Sequence, residues 1–177
     1  MKKNILYYGV MAGVLASAFQ VINTTLYMLN MVKPPVGIFL GYAMIVLALY
    51  PIFPGVRAYR ALHGSLSFLK ALAVALLITS IAVALYYITW EISYHTYASD
   101  FTQKYAENTL AIEKQEGATE KELEAVREEM RIFSEEYQNP FVRFFYTIIE
   151  IFPAGILLSI IAAFLHRGRS SSDERTG

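Results

Sequence analysis

Residues 66–97 read LSFLKALAVALLITSIAVALYYITWEISYHTY. Lys70 near one end and Glu91 near the other are the only lysine, arginine, aspartate or glutamate in that run. The interval between them is long enough for a helix to cross a hydrocarbon core of about 30 Å, which takes about 20 apolar residues. Three further stretches have the same character: Ile5 to Leu29, Val36 to Val56 and Phe141 to Leu165. The last carries only Arg143 and Glu150 as charges. Membrane spans are therefore expected at about 5–29, 36–56, 66–97 and 141–165.

Composition agrees. The chain is 55% hydrophobic and 17% charged, against about 25% charged in an average soluble domain. Its formal net charge is zero, so no bulk electrostatic attraction to nucleic acid is expected. There is no cysteine, which excludes disulfides, thiol catalysis and thiolate metal sites. Lys2, Lys3, an apolar run and Ala16-Ser17-Ala18 imitate a secretory signal, but apolar character continues to Leu29. A retained first span is expected.

Basic residues sort by connection. Lys2 and Lys3 precede the first span, Arg57, Arg60 and Lys70 lie around the second connection, and Arg167, Arg169 and Arg175 follow the fourth span. The first connection has only Lys33. Both termini are therefore expected in the cytoplasm of a bacterial cell, in the inner membrane, with 166–177 a flexible cytoplasmic tail. The polar segment 98–139, where acids outnumber bases, then lies outside. Tyrosines and Trp90 mark the interfaces.

Lipid gives helices no hydrophobic reason to associate, so close approach at small residues matters. Gly9, Gly13 and Ser17, then Gly37 and Gly41, then Gly155, Ser159 and Ala163 recur four apart and so share helix faces. They are expected to form the seams of an all-α, integral-membrane four-helix bundle. Pro51, Pro54 and Pro153 each remove a backbone donor and should kink or distort their helices.

Segment 98–139 reads as an extracytoplasmic antiparallel helical hairpin between spans three and four. Phe101, Tyr105 and Ile112 share a face of its first arm, with Asn108 interrupting. Gly117 breaks the pattern, and Thr119 with Glu122 forms a capping-box signature. Leu123, Val126, Met130, Phe133 and Tyr137 then make a heptad seam, ended by Asn139-Pro140. The seams are expected to close on each other as a stalk continuing spans three and four, because local pairing needs less loop closure. The alternative is that the seam docks an envelope protein or a second copy of the chain.

Glu150 is the most informative ionisable residue. A carboxylate at membrane depth is costly and needs a partner. Gln20, Asn23 and Thr24 share one face in the outer half of the first span and are its expected hydrogen-bond partners, in an intramembrane polar cluster that is either a structural clamp or an ion-coupled site. Glu91 and His95, one turn apart, are expected to form an interfacial pair. Arg57, Arg60 and Lys70 are expected to contact anionic lipid or cytoplasmic partners. No cofactor, metal site, nucleophile–base motif or phosphate loop is expected.

Several short runs carry a family likeness: Lys2-Lys3-Asn4 with Tyr8-Gly9; Gly55, Arg57, Tyr59 and Arg60; Gly64-Ser65-Leu66-Ser67-Phe68 with Lys70-Ala71; Trp90-Glu91; Asn139-Pro140; and Glu150-Ile151 with Pro153 and Gly155. Together they span nearly the whole chain, which resembles the bacterial membrane-protein family called domain of unknown function 4199. The resemblance implies a small multi-span membrane protein with an extracytoplasmic helical insertion, and brings no established activity or ligand. Two functional expectations follow. One is a non-enzymatic interaction or envelope-structural protein whose hairpin engages a partner. The other is a small ion- or proton-coupled carrier or transport subunit using Glu150. An intramembrane enzyme lacks support, because no paired acid–base set is visible.

Overall fold

A computed structural model describes residues 2–32 and 35–167. Lys33 and the tail beyond Arg167, both used in the orientation reading, lie outside the described residues. Every regular element among the described residues is helical: α1 Lys2–Met28, α2 Val36–Ala48, α3 Ile52–His63, α4 Phe68–Thr96, α5 Phe101–Gln115, α6 Glu120–Glu136 and α7 Pro140–His166. Four segments are long and apolar enough to cross a membrane: Lys3–Met28, Val36–His63, Phe68–Thr96 and Pro140–His166.

The second stretch differs from the single span expected at 36–56. It is two helices, α2 and α3, separated at Leu49–Pro51 and extending to His63. Pro51 caps α3 and Pro54 lies in its first turn, so two backbone donors are missing where a continuous helix would need them. The break is not frayed. Leu49 and Ile52 are fully buried, and the Ile52 and Gly55 N–H groups donate to Leu49 and Pro51 carbonyls at 3.0 Å. Ser67 caps α4, its side chain accepting from the Lys70 N–H.

Helix α4 is the centre of the fold. It packs along α1 on one side and α7 on the other, while α3 wedges against α1, α4 and α7. Small residues make these approaches. A Cβ on Gly9 would stand 2.7 Å from the Ile81 Cβ, and one on Gly13 would stand 2.9 Å from the Leu85 Cβ and 3.2 Å from the Ala82 Cα. Gly55 abuts Ile78 and Tyr8, and Gly155 abuts Thr79. Ser17 accepts from Thr89 at 2.9 Å, and Thr79 and Ser159 hydroxyls meet at 3.0 Å with both residues fully buried. Packing here is dry and close, as association in lipid requires.

Helices α5 and α6 pack on each other. Thr102 meets Ser134 at 3.0 Å, and the Tyr105 and Phe133 rings pack in a tilted arrangement with centres 5.6 Å apart. Gly117 supplies the positive φ of 90° in the turn, and Thr119 with Glu122 makes both halves of a capping box. The pair is not a stalk prolonging α4. The chain breaks direction at Tyr97–Asp100, and α5 leans over the end of α1: Lys104 donates to the Met28 carbonyl and Asn108 to the Tyr27 hydroxyl. Asn108, which interrupts the apolar face in sequence, is thus a fixing point for the tilt. Phe101, Phe133 and Tyr137 turn down onto Trp90, Tyr94 and Tyr146.

Candidate functional site

At the ends nearest the α5–α6 pair α2 packs on α1, its Gly41 beside Asn23, while α7 stands off from α1. Between them lies a cleft of about 630 Å³. Its walls are Phe19, Gln20, Asn23 and Thr24 of α1, Gly41, Tyr42 and Ile45 of α2, and Thr147, Ile149 and Glu150 of α7. Tyr86 and Trp90 of α4 form its back, and Phe101, Tyr105 and Phe133 cover it. The gap follows from the packing. Helix α4 stands between α1 and α7, so those two helices do not approach each other, and α2 rests mainly on α1 and only lightly on α7.

All four members of the expected polar cluster line this cleft. No direct hydrogen bond joins Glu150 to Gln20, Asn23 or Thr24; the Tyr86 hydroxyl of the intervening α4 lies within hydrogen-bonding reach of both Gln20 and Glu150. Glu150 is deeply surrounded by protein but open to the cleft. Gln20 Oε1 and Asn23 Oδ1 are buried without a partner. Such orphaned groups are rare, since each carries a desolvation cost of about 1–3 kcal/mol. Trp90 Nε1 is also unpartnered and lies beside Tyr137. Pro153 has no N–H, so the Ile149 carbonyl loses its helical donor one residue before Glu150.

The expected Glu91–His95 pair is a minor part of a larger arrangement. Arg143 grips Glu91 with two hydrogen bonds of 2.8 Å, from Nε and Nη2. Its Nη1 donates to the Tyr137 and Gln138 carbonyls at 2.8 and 2.9 Å, and its guanidinium lies 4.4 Å from the Tyr94 ring centre. His95 stands 3.5 Å from both Glu91 and Arg143 with its side chain 65% exposed. A bidentate fork that also satisfies carbonyls at the end of α6 ties α4, α6 and α7 together. Sequence reading missed the partner because 52 residues separate the two. The available signal was a lone acid and a lone base in the outer parts of consecutive apolar stretches.

At the other end, Arg57, Arg60, Gly64, Ser65 and His166 line a shallow basin of about 620 Å³, with Arg60 donating to the His166 carbonyl at 3.3 Å. Lys70 is exposed and outside it. His63 stacks on Tyr59. Among the described residues, no three histidine, aspartate or glutamate side chains converge as a metal site.

Fold and cleft define an all-helical protein with four helical segments of membrane-crossing length. The family model described as Protein of unknown function (DUF4199) matches residues 7–167, and the chain belongs to that family. No curated protein and no solved structure matches it.

Proposed function

We propose that this is a multi-pass bacterial inner-membrane protein, with both termini cytoplasmic and residues 98–139 outside, that binds a small ligand in the α1–α2–α7 cleft as a non-enzymatic carrier or transport subunit. The carrying observation is an exposed carboxylate, Glu150, in an aromatic-walled cleft that Gln20 and Asn23 also line. Its volume lies in the range of small-molecule pockets, about 300–1,000 Å³. An ionisable residue at membrane depth is by default a functional group. The basic residues near the α3–α4 connection support the orientation and suit anionic lipid headgroups.

The rival reading, an envelope partner or second copy held by the hairpin, has less support. The apolar seam is taken up by internal contacts: Leu123 and Tyr137 are buried, and Phe133 packs on Tyr105, Tyr137 and Tyr146. Apart from Ala125 and Ile132, what α6 leaves exposed is charged.

Complementation of a deletion strain separates the two. Glu150→Gln should melt like the wild type and fail to complement, while the charge reversals Glu120→Lys and Glu124→Lys on the exposed hairpin surface should complement. The opposite pattern would favour the hairpin partner. Reporter fusions at Gly117 and at the C-terminus should report opposite compartments; one shared compartment would refute the orientation.

A further inference from the structure

We propose that the cleft takes lipophilic organic cations: molecules with an amine or onium charge on an apolar body. The inference rests on the cleft being the working site and names its ligand class. Charge is the first observation. Glu150 lies deep in the cleft and Glu129 and Glu136 stand at its α6 edge, whereas among the described residues no lysine, arginine or histidine lines it. An anion would meet uncompensated carboxylates there.

The second observation is independent of the acids. Gln20 is only 8% exposed, and its Oε1 points to no donor; Asn23 Oδ1 is in the same state. With the Ile149 carbonyl released by Pro153, the polar end of the cleft is rich in acceptors. Neither amide oxygen is accessible as its side chain stands; turning either amide toward the cleft would let a ligand N–H satisfy it, and an onium group would meet its negative end.

The walls give the third. Tyr42, Tyr86, Trp90 and Phe101 line the cleft, and a cation seated over an aromatic face is attracted by about 0.5–2 kcal/mol, most strongly at indole. A bare inorganic ion would instead need six or more oxygens converging at short range, and the cleft is far larger and more aromatic than that.

Tetraphenylphosphonium and tetraphenylborate test this, because they share a shape and differ in sign. Trp90 is the only tryptophan of the chain and lines the cleft, so its fluorescence reports occupancy in the purified full-length protein in micelles. Tetraphenylphosphonium should change it saturably, tetraphenylborate should not, and Glu150→Gln should weaken the cation by about ten-fold or more. The double variant Glu129→Gln/Glu136→Gln, at exposed positions, should weaken it by a few-fold and serves if Glu150→Gln does not fold. Saturable binding of the borate at equal or lower concentration would overturn the cation assignment while leaving the cleft a binding site. So would affinity for the phosphonium that no acid-to-amide change alters. No saturable response to either ion would also overturn it; if Glu150→Gln still failed to complement, the cleft would stand as the working site for another ligand class.

Discussion

The two ends of the helical body are built on opposite rules. Around Gly9, Gly13, Gly55 and Gly155, backbones approach until a single Cβ would collide with a neighbour, and the one buried polar pair, Thr79 with Ser159, is satisfied. Around Gln20, Asn23 and Glu150 a cleft opens between α1, α2 and α7, and polar atoms are left without partners. The difference lies in which helix stands opposite. At the closed end α3 fills the space between α1 and α7; at the open end the chain has only α2, which leans on α1. Unsatisfied groups cost stability, so their concentration in the open half argues for a ligand-directed role and not for loose packing in general.

The comparison breaks most severely if the open half loses its tie. Arg143→Ala leaves Glu91 without its fork and the Tyr137 and Gln138 carbonyls without a donor, and should cost about 3 kcal/mol, of the order found for splitting buried ion pairs. Thermal melting in detergent should fall sharply, and Arg143→Ala combined with Glu91→Gln should recover part of the loss. A melt unchanged by Arg143→Ala would mean the tie is ornamental.

In the closed half, Gly13→Val should cost about 1–3 kcal/mol by overpacking against Leu85 and Ala82. Gly41→Ala, whose Cβ would stand 3.2 Å from Asn23 Nδ2, should cost less, because the neighbouring amide borders open space. Equal losses would erase the contrast between the halves. Within the open half, Gln20→Leu should be neutral or stabilising by up to about 1 kcal/mol, since it removes an orphaned polar group. A large destabilisation there would reveal a structural partner for Gln20 and weaken the ligand reading.

The smallest effect concerns the hairpin. Hydrogen bonds from the Thr119 backbone and hydroxyl hold the Glu122 carboxyl below its usual value. Because the folded-state value is depressed, the contribution is present above the unfolded carboxylate pKa of about 4.3 and is lost as pH falls through the folded value. Helicity of the start of α6 should therefore decline on acidification, and Thr119→Ala should flatten that dependence in circular dichroism.

Much of this architecture is written locally. The four apolar stretches, the Gly117 turn and the Thr119 cap are legible because span length, positive φ and capping depend on a few adjacent residues. The α2–α3 break was legible only as a kink: two prolines mark a lost donor, but whether a helix bends or stops depends on the contacts of Leu49 and Ile52. The grouping of Gln20, Asn23, Thr24 and Glu150 was visible as matching depth on two spans. That they face each other across a gap was not, because it depends on α4 standing between α1 and α7. The Glu91–Arg143 fork was hidden for a related reason, since His95 supplied a nearer partner in sequence and the true one came from another helix. The tilt of α5 was readable only as an unexplained Asn108.

The most direct test compares Glu150→Cys with Ser159→Cys, nine residues apart on α7, in a chain with no cysteine of its own. A water-soluble, membrane-impermeant maleimide is applied to the outer face of spheroplasts. The open-cleft account predicts that the Glu150→Cys protein is labelled faster than the fully buried Ser159→Cys protein, on the order of ten-fold or more. Equal rates, or a Glu150→Cys protein that reacts only after detergent opens the membrane, would contradict it.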